Sequence, residues 1–266
     1  MRKLKLEVGN LQLFLQICAP YFCGLIKNTD ESRFVFLLVS NPILLMALIL
    51  HIDTATDRAA VGFANEHGIV AAQERADQKN HAAFVQRAIS ELAQQQHISL
   101  QDIDAVAVVN GPGSYTGLRV GLASVKGLCY ALNKPLILLN TLEVMAVASI
   151  NSFPGEAILH CPMIDARRME VFTAVYNCHL QPILAPQPII LSINSFDTFL
   201  QYEKVVFSGS GHKKLESIIN YSNAIFSEVQ YTIAEVSFLA QRDFNNKKFA
   251  DLAYSEPFYL KNFYTL

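Results

Sequence analysis

Three short segments of the 266-residue sequence carry residue types suited to holding phosphate. Asp53-Thr54-Ala55-Thr56 ends an apolar run with a carboxylate and two hydroxyls. Asn110-Gly111-Pro112-Gly113 ends a second run and opens a helical pattern, and Ser208-Gly209-Ser210-Gly211 ends a third. Glycine lets the backbone come close to an anion, and the free N–H groups of a following helical turn point at it. Asp53, Thr54, Gly111, Gly113, Gly209 and Gly211 are therefore the candidate lining of a nucleotide cleft between two halves of the chain. A bland role for Asp53, hydrogen-bonding its own turn, has equal weight.

Gly117, Gly121 and Gly127 fall inside the helical pattern, where each costs about 1 kcal/mol relative to alanine. Something must come close to such a helix. It is either a phosphate at its start, or a neighbouring backbone or partner protein along its side. Both readings stay open on these residues alone.

Metal chemistry has little support. The five cysteines (18, 23, 129, 161 and 178) form no CxxC pair, and their scatter suits a reducing compartment. The histidines offer no close pair, so no metal site is expected. His81 stands at a helix start, where capping or a partner contact outweighs ligation. With 52% hydrophobic and 17% charged residues the chain can build a sizeable core and is not disordered. A net charge of -2 gives no global attraction to nucleic acid or anionic membrane.

Several elements must position these segments. Strands are predicted at 47–52, 59–64, 69–75, 105–109, 135–139, 157–164, 170–176 and 204–207. Helices are predicted at 80–96, with Asn80 as N-cap, and at 114–132, 141–150 and 233–244. Val85, Ala88, Ile89 and Leu92 give the first helix an apolar stripe. Residues 46–152 and 153–266 form two lobes that share a plan of strand, Gly-rich turn and helix. Residues 1–45 are set apart as a non-native or disordered N-terminal extension, with Met46 as an alternative start. Two apolar runs in that extension are too short, or too interrupted by Pro42, to read as a membrane helix.

Leu50 to Thr56, Asn80-His81, the glycine motif from Asn110 to Gly121, and Ile164-Asp165-Ala166-Arg167-Arg168-Met169-Glu170-Val171-Phe172 together resemble the TsaB (YeaZ-type) family. Those proteins are bacterial subunits for tRNA threonylcarbamoyladenosine biosynthesis. After Tyr176 the resemblance rests on Ser208 to Gly211 and on Pro257 to Lys261. It implies an α/β ASKHA fold, the actin and sugar-kinase architecture, with two related lobes of mixed sheets covered by helices. It also implies a non-catalytic scaffold that activates a TsaD-type paralogue and works with a TsaE-type ATPase. That assembly modifies the adenosine beside the anticodon in tRNAs reading A-starting codons. The implied setting is cytoplasmic, without membrane, with tRNA contacted through the complex and a homodimer when alone. The catalytic relative carries His-x-x-x-His where this chain has Thr141 and Met145. Sugar kinases of this fold have Asp-x-Gly-Thr where this chain has Ala55 in the glycine place. No tightly bound cofactor is expected, only weak nucleotide binding. The alternative is a small ASKHA-fold kinase or ATPase acting alone, with Asp53 and Asp165 as its acids. His81, Ala82, Val85, Tyr115, Leu118, Gly121 and Leu122 are the expected partner interface, with Ala82, Ala83 and Tyr115 partly exposed in the free subunit.

Overall fold

Apolar runs bounded by polar turns become strands buried on both faces. The computed structural model describes residues 47–76 and 81–261. The extension expected at 1–45 and the cap expected at Asn80 lie outside the described residues. Strands β1 (Ile49–Asp53), β2 (Ala59–Asn65), β3 (Gly68–Arg75), β4 (Ala105–Gly111) and β5 (Leu136–Asn140) form one sheet in the order β3-β2-β1-β4-β5. β1, β2 and β3 pair antiparallel, whereas β4 and β5 run parallel to β1. On β4, Val106 and Val108 enter one core while Ala105, Ala107 and Val109 enter another. This two-sided burial explains why the strand reads as a continuous apolar run.

The second sheet repeats the plan. β6 (Ile158–Asp165), β7 (Glu170–Tyr176), β8 (Pro182–Ile190), β9 (Lys204–Ser208) and β10 (Ala224–Ser227) lie in the order β8-β7-β6-β9-β10. Again the first three pair antiparallel and the last two are parallel to the central strand. The two related lobes read from the sequence are present.

Helices α1 (His81–Gln95) and α2 (Tyr115–Leu132) cover the outer face of the first sheet. Phe84, Val85, Ala88, Ile89 and Leu92 pack there with Leu122, Val125 and Cys129. α3 (Thr141–Ser152) lies between the sheets and builds a shared core with Ala174 and Tyr176 of β7. Two short helices, α4 (Asp197–Leu200) and α5 (His212–Glu216), serve the second sheet. α6 (Ile233–Asn245) then returns to the first sheet, where Ile233 meets Gly62 and the Gln241 amide donates to the Ala47 carbonyl (3.1 Å). The segment 153–266 is thus not wholly a second lobe. Its last helix finishes the inner face of the first.

Candidate functional site

The glycines of the 110–121 motif are explained by what touches them. A Cβ at Gly113 would overlap the Ala55 carbonyl oxygen. One at Gly117 would overlap the Thr54 carbonyl, and one at Gly121 the Thr54 hydroxyl. The Ser114 N–H donates to the Ala55 carbonyl (2.7 Å), and the Thr54 hydroxyl donates to the Gly117 carbonyl (2.7 Å). Ser114 caps the helix through its own hydroxyl, which accepts from the Gly117 N–H (3.3 Å). The first turn of α2 is therefore filled by this chain's own 54–55 segment. Of the two readings left open by the sequence, close packing accounts for Gly113, Gly117 and Gly121. Gly127 is different, because it is exposed and, among the described residues, nothing lies within 4 Å of where its Cβ would be.

Asp53 is buried and uses its carboxylate to accept from the Ala55 N–H (2.8 Å), the self-capping role. Burial raises its pKa to about 6, opposed by that N–H and by the nearby Tyr231 and Arg58. The Tyr231 hydroxyl is buried beside it without a partner in hydrogen-bond geometry. Arg58 donates to the Tyr231 carbonyl (2.6 Å), which ties the β1–β2 turn to the approach of α6.

A cleft of about 1420 Å³ lies between the lobes. Gly113 and Gly209 line it, together with Ala55, Ser114, Met145 and the Asp165–Arg168 turn. Asp53, Thr54, Gly111 and Gly211 do not, because each is packed behind that surface. Gly209, at φ +88°, sits against the Met145 methyl and the Met163 carbonyl. Gly111, at φ +124°, lies beneath the carbonyl of Phe258.

That last contact belongs to residues 257–261, which carry part of the family resemblance. Phe258 N–H donates to the Asn110 carbonyl (2.8 Å), and the Asn110 amide donates to Glu256 (3.0 Å). Tyr259 accepts from Arg119 Nε (3.1 Å) and packs its ring 5.5 Å from that of Tyr115. Lys261 then reaches Glu170 at 2.6 Å. Residues 256–261 thus run from the end of β4 to the start of β7, across the cleft.

The expected partner interface needs correction. Val85, Leu118, Gly121 and Leu122 are buried within this chain, and His81 is buried with its Nε2 unpaired. The stripe they form is the inner side of the two helices. Ala82 and Tyr115 reach the surface, as does Ala83. The outward face of α2 also carries Ala123, Gly127, Ala131 and the largely exposed Tyr130.

The resemblance implies a metal-binding His pair in the catalytic relative at the places of Thr141 and Met145. Thr141 is buried with its hydroxyl unpaired, and Met145 is turned against Gly209. A hydroxyl and a thioether do not fit that metal. Among the described residues no three His, Cys, Asp or Glu side chains converge to hold one.

The family model described as TsaD, tRNA N6-adenosine threonylcarbamoyltransferase, matches residues 67–258. The chain belongs to the TsaD family. Within it, the resemblance to the TsaB (YeaZ) type is borne out by named relatives. The tRNA threonylcarbamoyladenosine biosynthesis protein TsaB of Bacillus subtilis is 29% identical over 223 residues, spanning 80% of this chain and 93% of that one. TsaB of Escherichia coli is 34% identical over 129 residues, 48% of this chain and 54% of that protein. A Pseudomonas aeruginosa protein, described as similar to peptidase YEAZ, superposes with a TM-score of 0.70 at 20% identity. It covers 81% of this chain and 100% of its own. The fold is the two-lobe ASKHA architecture. No helix among the described residues is long and apolar enough to cross a membrane.

Proposed function

We propose that this chain is a non-catalytic subunit in the synthesis of N6-threonylcarbamoyladenosine on tRNA. In this reading it docks and activates a TsaD-type catalytic paralogue, alongside a TsaE-type ATPase. The supporting observation is the packed start of α2, where the Ser114 N–H is taken by the Ala55 carbonyl and Gly113 and Gly117 abut residues 54–55, which narrows the turn as a phosphate site. A chain built this way has no need of a tightly held cofactor.

The outward face of α2 suits the docking role. Gly127 weakens the helix by about 1 kcal/mol without serving any contact among the described residues. A small residue there, flanked by Ala123, Ala131 and Tyr130, lets a second helix approach closely. The same face would support a homodimer in the free subunit. Co-purification with the tagged paralogue, combined with ATP turnover by the purified chain, tests the reading. Capture of the paralogue with negligible turnover is expected. Turnover comparable to that of a sugar kinase would instead establish an enzyme acting alone.

A further inference from the structure

Arg167 and Arg168 follow one another at the β6–β7 turn with φ of +69° and +48°. Most residues with a Cβ avoid this left-handed region; glycine enters it freely, and asparagine more readily than other residues. The turn is nevertheless held firmly. The Arg167 N–H donates to Asp165 Oδ1 (2.6 Å), and the Glu170 N–H donates to the Arg167 carbonyl (3.1 Å). Both arginines are exposed and line the cleft.

The acids around them are already engaged. Asp165 pairs with Lys214 (2.7 Å), Glu170 with Lys261 (2.6 Å) and Glu228 with Lys213 (2.7 Å), and Asp57 has a partner too. The arginine pair therefore has no carboxylate of its own among the described residues. The cleft, at about 1420 Å³, exceeds the roughly 300–1,000 Å³ that encloses a small ligand. At its floor the Ser114 N–H is taken by the Ala55 carbonyl, and behind it the Gly117 N–H by the Ser114 hydroxyl. A polyanion at the rim fits this arrangement better than a nucleotide at the floor.

We propose that Arg167 and Arg168 grip phosphates of an RNA strand crossing the mouth of the cleft. This deepens the tRNA reading above and rests on it. The guanidinium fork matches phosphate oxygens, and such contacts fix position without reading sequence.

The test is fluorescence anisotropy of a labelled anticodon stem-loop RNA over a salt series, with the full chain alone and with its catalytic paralogue. The variant Arg167→Asn/Arg168→Gly suits left-handed backbone, so its Tm should not fall. Its RNA affinity should drop about tenfold or more, and the slope of log affinity against log salt should shrink by about 1 to 2. Lys204→Glu, at the opposite end of the second sheet, should leave both unchanged. Undiminished RNA affinity in the arginine variant overturns the proposal, as does failure of the wild-type assembly to bind RNA. ATP binding abolished by the variant while RNA binding persists would assign the pair to free nucleotide instead, again overturning it. Paralogue capture is scored separately. If the variant loses RNA affinity and neither protein captures the paralogue, the arginine assignment stands and the docking reading falls.

Discussion

The Thr54 hydroxyl donates to the carbonyl of Gly117, 63 residues away in sequence, at 2.7 Å. This bond clamps the turn after β1 to the second helix and leaves no room for a side chain at 117. Gly117→Ala should cost about 2 kcal/mol or more, because overpacking against a backbone oxygen exceeds the gain in helix propensity. Gly127→Ala should instead stabilise the lone chain by about 1 kcal/mol and weaken capture of the paralogue. Urea unfolding of both variants, with a pull-down of the second, checks the contrast. Equal costs would mean that the clamp does not explain the glycines.

Asp53 offers a second test. Its folded pKa of about 6 lies above the ordinary 3.8, so the stability it contributes is full below about pH 4 and lost as pH rises through 6. Asp53→Asn keeps the oxygen that accepts from Ala55 and removes the buried charge. It should stabilise the chain by about 2–3 kcal/mol at pH 8 and by little at pH 4. Destabilisation at pH 8 would contradict this account.

His51 and His160 occupy the third position of the two central strands and both face the shared core. Nδ1 of His51 lies 3.3 Å from the Gly62 carbonyl, and Nδ1 of His160 lies 2.8 Å from the Ser149 hydroxyl. Both Nε2 atoms are unpaired, and burial lowers each pKa to about 4. The unfolded chain takes up these protons from about pH 6.5 downward while the folded one resists them. Each histidine therefore withdraws about 1.4 kcal/mol per pH unit on acidification, and Asp53 offsets one of the two below pH 6. Denaturant titrations at pH 7.5, 6 and 5 should show stability falling throughout, whereas a flat profile would show the imidazoles to be solvated.

The segment across the cleft should matter more than its exposed ion pair. Ending the chain after Ser255 removes the Phe258 backbone bond, Tyr259 and Leu260, and should cost about 2–3 kcal/mol. Lys261→Met alone should cost under about 1 kcal/mol, since its ammonium is half exposed. Comparable losses from the two changes would mean that the ion pair, not the strap, holds the lobes.

Most of the strands and long helices were legible because their apolar periods are strong. β8 was missed because Pro182, Pro186 and Pro188 read as breakers. Among the described residues it is an edge strand paired to β7 alone, and an edge is where a sheet tolerates proline. β10 is four half-buried residues long and has no alternation to read. The apolar stripe of α1 and α2 was found correctly, but periodicity does not say what covers it. Val85 and Leu118, which the stripe also offers to a partner, are buried within this chain instead. Asp53 and the glycines were singled out with good reason, yet their contacts join residues 53–55 to 113–121, a pairing no local pattern reveals. Pro257 to Lys261 was a visible signal for the crossing segment, left without a role because its partners Asn110 and Glu170 are remote in sequence.

The return of α6 to the first sheet bears on how the protein is made. During synthesis, everything through β5 emerges early, but the hydrophobic side that Ile233, Val236, Leu239 and Ala240 will cover stays bare until those residues leave the ribosome. The early half of the nascent polypeptide cannot mature alone, and it must wait, sticky and incomplete, for a helix that begins only at Ile233, long after β5 has ended at Asn140.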